Sequence, residues 1–184
     1  MQALPGTYTL IFSVSRKGQI SIGKLGTLHL KTGFYIYVGS AFGPGGLKAR
    51  IAHHCRKAVH PHWHIDYLSS FLELNEIWYS YDPVQREHQW AKIISNTRGA
   101  SVPLAGFGSS DCRCRSHLFF RKARPSVTTF RRKISAAFHK NIPAGISGYG
   151  KKRLNNGTVF CQTLYASIEN HGKEKVSWQK PQIL

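Results

Sequence analysis

Two β-prone apolar runs near the N-terminus constrain this chain most. Gly6 opens the run Tyr8-Thr9-Leu10-Ile11-Phe12-Ser13-Val14, and Gly33-Phe34-Tyr35-Ile36-Tyr37-Val38 is bounded by glycine at both ends. Successive side chains of a strand alternate faces, so Leu10, Phe12 and Val14 share a face with Tyr8, and Tyr35 shares one with Tyr37. Weaker runs, Ile20 to Ile22 and Thr27 to Leu30, lie between them, and Arg16-Lys17-Gly18-Gln19 reads as a turn. The first 40 residues predict a small antiparallel sheet with short turns.

Helical periodicity follows. After the breaker Gly43-Pro44-Gly45-Gly46, the apolar positions Leu47, Ile51, Cys55 and Ala58 form a stripe suited to packing on a sheet. Arg50 and His54 stack on an adjoining face. Pro61 ends that segment, and His62-Trp63-His64-Ile65-Asp66-Tyr67-Leu68 starts a second helix, with His64, Tyr67, Leu68 and Phe71 on one side. Glu76 to Tyr81 returns as a strand. Asp82-Pro83 supplies an N-cap and a first-turn proline for a third helix, from about Pro83 to Ser95. Val84, Glu87, Ala91 and Ile94 make its stripe, and an unpaired buried carboxylate at Glu87 would be costly, so it requires a cation or a metal. Leu118-Phe119-Phe120 reads as a last apolar strand. Beyond it, Thr129 to Lys140 reads as a basic amphipathic helix with Phe130, Ile134, Ala137 and Phe138 on one side. The expectation is an α+β domain over residues 1–120, a small mainly antiparallel sheet flanked by helices, followed by a basic C-terminal extension over residues 121–184.

Charge narrows the partner. The chain has 26 Lys+Arg against 8 Asp+Glu, a net charge of +18. Residues 121–184 carry 13 of those basic residues and 2 of the acidic ones. Such a balance attracts polyanions and releases counterions on binding, so nucleic acid, DNA in the first place, is the expected partner. No run reaches the ~20 apolar residues of a membrane span, and Met1 to Pro5 has neither the basic nor the apolar region of a signal peptide. Four scattered cysteines fit a reduced, cytoplasmic setting better than a disulfide framework.

The ordered motifs carry more. Gly6-Thr7-Tyr8 and Tyr37-Val38-Gly39 resemble the paired signature of the GIY-YIG nucleases, and Leu47-x-x-Arg50-x-x-x-His54 is similar to the helix that follows it. The run Ile22-Gly23-Lys24-Leu25-Gly26, the His62–Leu68 stretch and the loop Gly106-Phe107-Gly108-Ser109-Ser110-Asp111-Cys112-x-Cys114-x-x-His117-Leu118 resemble the Uri-type endonuclease branch. The match spans roughly residues 6–120. The 28 residues from Thr9 to Ile36 exceed the superfamily's usual spacer, which an extra hairpin near residues 17–30 explains. The superfamily's downstream asparagine has no clear equivalent; Ser109, Ser110 and Asp111 are the candidates.

The resemblance implies metal-dependent endonuclease chemistry on DNA phosphodiester bonds. By it, Tyr8 is the general base, Tyr37 orients the site with His54 beside it, Arg50 neutralises the phosphate, and Glu87 holds Mg²⁺ or Mn²⁺. Lys24, Ser40, Lys48, His64 and Ser110 are expected to contact nucleic acid. A free phenol has a pKa of about 10, so Tyr8 as a base needs nearby positive charge, from Arg50, the metal or Lys24. Cys112-x-Cys114-x-x-His117 reads either as a zinc group, completed by His53, His54 or Cys55, or as a small polar turn. His62, His64 and Asp66 read either as supporting or DNA-contacting groups or as satisfied buried residues. The alternatives to a nuclease are a non-catalytic nucleic-acid-binding protein and a zinc-stabilised interaction protein.

Overall fold

The computed structural model describes residues 1–56, 60–69, 71–137, 147–153 and 159–164. The fold is α+β. Strands β1 (Gly6–Val14), β4 (Gly33–Ala41), β5 (Glu73–Ser80), β6 (Leu118–Arg121), β7 (Ser147–Arg153) and β8 (Val159–Leu164) make one sheet in the order β6-β4-β1-β5-β7-β8. Every neighbouring pair in it is antiparallel. Strands β2 (Gly18–Ile22) and β3 (Gly26–Leu30) form a separate hairpin between β1 and β4, joined through a 3-10 turn at Gly23–Leu25. This hairpin is the insertion that lengthens the spacer.

The sheet is covered on both faces, which explains why β1 is almost wholly buried. Tyr8, Leu10, Phe12 and Val14 point one way, with Tyr35 and Tyr37 from β4. Onto that face pack Ile20, Ile22, Leu28 and Leu30 of the hairpin, Leu47 and Ile51 of α1 (Gly46–His54), and Ile65 and Leu68 of α2 (His64–Ser69). Ile11, Ile36, Val38 and Trp78 point the other way. They meet Trp90, Ala91 and Ile94 of α3 (Glu87–Ser95) and Phe130 and Ile134 of α4 (Val127–Ala137). The stripe read in Thr129 to Lys140 thus becomes α4, with Phe130 and Ile134 closing the second core. That helix lies past residue 120, where the domain was expected to end. Phe138 to Lys140 fall outside the described residues.

Three local expectations are corrected. The α1 stripe is Leu47, Ile51 and His54; Cys55 caps the helix and is exposed, and Ala58 is outside the described residues. Phe71 is exposed, because the chain leaves α2 at Ser69. Helix α3 begins at Glu87 rather than Pro83. Asp82 Oδ1 accepts the N–H of Val84 at 2.9 Å and Oδ2 accepts Nε–H of Arg86 at 2.8 Å, so the aspartate closes a turn of its own instead of capping a helix. Val84 is left exposed, and Trp90 takes the place on the stripe given to it. Among the described residues, no helix is long and apolar enough to cross a membrane.

Candidate active site

The pairing of β1 with β4 sets Tyr8 directly opposite Gly39 and Leu10 opposite Tyr37. Tyr8 and Tyr37 are therefore diagonal neighbours on one face, with ring centroids 6.4 Å apart. Glycine at 39 is what allows it. A Cβ there would strike the hydroxyl and Cζ of Tyr8, so the phenol lies across the position a side chain would take. Gly108 does the same for Tyr37: its φ of 68° is left-handed, and a Cβ would come within 2.8 Å of the Tyr37 ring.

Helix α1 brings Arg50 and His54 over these rings. His54 Nε2 lies 2.7 Å from the Tyr8 hydroxyl, and its Nδ1 is 3.9 Å from Oδ1 of Asp66. A proton on Nδ1 faces that carboxylate, so Nε2 is the acceptor and Tyr8 the donor. Asp66 is itself held by the backbone N–H groups of His62 and Trp63, at 3.0 and 2.9 Å on Oδ2, and by His53 Nε2 at 3.0 Å on Oδ1. Arg50 lies over Trp63, its Cζ 4.2 Å from the ring centroid.

Burial governs the protonation of this group. It pushes the Tyr8 phenol well above its ordinary range, reinforced by Tyr37, with Arg50 pulling the other way. Burial, then Glu87, raises Tyr37 as well. Burial lowers His54 to about 3, against the pull of Asp66. Burial alone would raise Asp66, but the N–H groups of Trp63 and His62 together with His53 bring it below its usual range. The resting state is two neutral phenols, a neutral imidazole and one carboxylate. The positive charge nearby does not make Tyr8 a phenolate.

Glu87 stands at the first turn of α3, on the other face of the sheet. Its Oε2 accepts the hydroxyl of Ser40 at 2.7 Å and Nε2–H of Gln85 at 3.2 Å, and its Oε1 is 2.9 Å from Nδ1 of His117. Burial would raise this carboxyl, but His117, Ser40 and Gln85 outweigh it and the pKa falls below the usual value. The partner expected for Glu87 is thus a histidine and two neutral donors. Three contacts on roughly four lone-pair positions leave one free for an ion.

The two sides meet at the end of the sheet. A cavity of about 390 Å³ is lined by Tyr8, Tyr37, Arg50 and His54 from one face, Ser40, Gln85 and Glu87 from the other, and Gly108, Ser110 and Asp111 from the loop before β6. Beside the imidazoles of His54, His62 and His64, it offers the carboxylates of Glu87 and Asp111 and the hydroxyls of Ser40 and Ser110, the oxygen set that Mg²⁺ and Mn²⁺ prefer, so the residues fit such an ion.

A family model described as a domain of unknown function, DUF123, matches residues 7–140. The chain belongs to the DUF123 family. No curated protein and no solved structure matches it. The DUF123 match takes in both cores, the whole cavity lining and α4.

Within this DUF123 domain, Tyr8, Tyr37, Ser40, Arg50, His54, His64, Glu87 and Ser110 all line the cavity. Lys24 and Lys48 do not: Lys24 is exposed on the 3-10 turn of the hairpin, and Lys48 is exposed on α1, away from the buried positions Leu47 and Ile51. His64 has a structural task besides its place in the lining. Its Nδ1 accepts the N–H of Gly108 at 3.0 Å and so ties α2 to the loop. Asp66 belongs to the site through His54 and His53. Gln85 and His117 were missed as partners of Glu87. Gln85 is two residues from Glu87, but nothing in the spacing signals that its amide turns back onto it.

His117 Nε2 lies 3.5 Å from Cys112 Sγ, and Cys114 Sγ lies 3.2 Å from Nδ1 of His88. The companions named from sequence, His53, His54 and Cys55, are not part of this group. His88 was missed because it comes from α3, 24 residues before Cys112.

Proposed function

We propose that this DUF123 domain is a metal-dependent endonuclease of the GIY-YIG kind, acting on DNA phosphodiester bonds. The observation that carries the reading is the convergence of Tyr8, Tyr37, Arg50, His54 and Glu87, from β1, β4, α1 and α3, on one cavity. The net charge of +18 supports a polyanionic substrate.

Each residue has a task in hydrolysis. Arg50, steadied on Trp63, offers a planar fork to the scissile phosphate. Tyr8 works as a relay rather than as a preformed base. Its oxygen takes a proton from the attacking water as its own proton passes to His54 Nε2. The imidazolium so formed faces Asp66, and a phosphate anion in the cavity favours that charged form. Tyr37, a protonated phenol beside Tyr8, donates to the phosphate or the water and fixes its approach. Glu87, with Asp111 also in the lining, would hold Mg²⁺ or Mn²⁺. That ion, when bound, polarises the phosphate and stabilises the leaving oxygen.

The test is cleavage of labelled duplex, single-stranded and branched DNA, with RNA alongside, at one salt concentration, with and without Mg²⁺ or Mn²⁺. The wild-type domain should cut at least one DNA substrate only with the ion, and Glu87→Gln should bind that substrate but leave it intact. Metal-independent cutting, or binding without cutting across the panel, overturns the proposal; the second result would mark a non-catalytic nucleic-acid-binding protein.

A further inference from the structure

We propose that His88, Cys112, Cys114 and His117 form a tetrahedral site for a zinc-class ion that fixes the loop before β6 and, through His117, sets the orientation of Glu87. None of the four ligands lines the cavity of the proposed nuclease site, and the zinc site stands whether or not the domain cuts DNA.

The geometry is that of a closed four-ligand site. The four ligand atoms all lie within 4.8 Å of one another. For Zn–S of about 2.3 Å and Zn–N of about 2.05 Å, a tetrahedron has N···S edges of about 3.5 Å. The observed edges are 3.5 Å for His117 Nε2 to Cys112 Sγ and 3.2 Å for His88 Nδ1 to Cys114 Sγ. Two thiolates and two neutral imidazoles around a divalent ion carry no net charge, so the cluster can sit half-buried without an uncompensated ion. Four protein ligands leave no open position, which makes the site structural rather than catalytic.

The loop explains why the ligands are needed. Asp111, Arg113 and Arg115 are exposed while Cys112 and Cys114 turn inward, so a two-residue spacing puts both sulfurs on one side. From Ser110 to Arg115 no side chain is buried, and the chain contributes nothing apolar to either core there. Backbone bonds close the loop at its base, Gly106 N–H to Arg115 at 2.8 Å and His117 N–H to Phe107 at 2.8 Å, while farther along it the bonds are longer, Ser109 N–H to Gly106 at 3.3 Å and Cys112 N–H to Ser109 at 3.4 Å.

His117 carries the second half of the proposal. With Nε2 toward the cysteines, its other ring nitrogen points at Glu87 Oε1, 2.9 Å away and off the line of an aligned ring N–H bond. A histidine bound to a metal commonly gives its remaining N–H to a carboxylate. An ion on Nε2 selects the Nδ1–H tautomer and straightens this contact. The other histidine–carboxylate group, His53, His54 and Asp66, differs: Asp66 already accepts three bonds from His53, His62 and Trp63.

The experiment uses the full chain, untagged and purified without chelator. Metal analysis after addition of ZnCl₂ and dialysis should give about one zinc per chain. Replacement by Co²⁺ should give the visible bands of tetrahedral cobalt and a near-ultraviolet thiolate-to-cobalt band. Cys112→Ser and Cys114→Ser should each weaken zinc retention at least tenfold, and Cys55→Ser should leave it unchanged. Substoichiometric zinc in the wild type, octahedral cobalt without a thiolate band, or two thiols per chain lost to a disulfide would each overturn the site. The wild-type spectrum decides this even where a variant fails to fold.

Discussion

The hydroxyl of Tyr8 and Nε2 of His54 meet at 2.7 Å, although 46 residues separate them in the chain. That contact turns the tyrosine from an isolated phenol, which burial keeps protonated, into the middle of a line from the cavity to Asp66. Removing the Tyr8 hydroxyl should therefore abolish proton transfer and little else. In Tyr8→Phe, cleavage should fall by about 10²–10⁴-fold, the usual worth of a positioned acid–base group. Fluorescence anisotropy should show DNA binding within about twofold of wild type. Cleavage within tenfold of wild type would remove Tyr8 from the reaction.

The His54 imidazole gives a pH signature. Its pKa is about 3 in the folded domain against about 6.5 in an unfolded chain. Between those values the unfolded chain holds one proton more, so stability is full above about pH 6.5 and is lost as the pH falls toward 3, by about 1.4 kcal/mol per unit. Urea melts at pH 7, 6, 5 and 4 should show that decline, and His54→Gln should flatten its upper part. An unchanged slope in the variant would mean that other groups carry the acid sensitivity.

Gly39 tests the packing of the pair. Gly39→Ala places a methyl group against the Tyr8 hydroxyl and ring. Overpacking of this kind costs about 1–3 kcal/mol, and the ring must move to relieve it. The expected result is a lower urea midpoint together with loss of cleavage; a midpoint and rate equal to wild type would contradict the close approach.

Arg50 should affect phosphate recognition and not the fold. Arg50→Ala should leave the melting temperature within about 2 °C, since an exposed or half-exposed substitution changes stability by ~0.5 kcal/mol or less. Its binding should become less sensitive to salt, with the slope of log K against log[salt] reduced by about one contact. Arg50→Lys keeps the charge but not the fork and should recover the slope more than the rate.

Phe130 tests whether the domain stops at residue 120. Its ring lies 5.2 Å from both Trp78 and Trp90 and is 5% exposed. Phe130→Ala should destabilise the whole domain by about 3–5 kcal/mol in chemical denaturation. A loss below about 1 kcal/mol would make α4 an appendage.

Where period and chemistry agree, the sequence is legible. Alternation sets Tyr8 with Leu10, Phe12 and Val14, and Tyr37 with Tyr35, because a strand admits no other arrangement; that the two sets share one face is decided by the pairing register, Leu10 opposite Tyr37, which neither strand carries alone. A hairpin near residues 17–30 follows from a spacer longer than that of the superfamily the motifs resemble, and its strands are Gly18–Ile22 and Gly26–Leu30. The stripe of Phe130 and Ile134 was visible, but the surrounding arginines and lysines made it read as an extension; nothing local says that Trp78 and Trp90 wait for it. Asp82 misled because an aspartate before proline closes a turn as readily as it caps a helix. His88, and the pairing of His117 with Glu87, eluded a linear reading for a different reason: the partners come from separate elements, and only the packing of α3 onto the sheet brings them within reach.

The loop from Gly106 to His117 has two sides. Gly108, Ser110 and Asp111 wall the chamber beside Tyr8, and Cys112 through Ser116 wall the one beside His88. Asp111 ends one stretch and Cys112 begins the other, so a single peptide bond joins the two walls, and a displacement of either wall is handed directly to its neighbour.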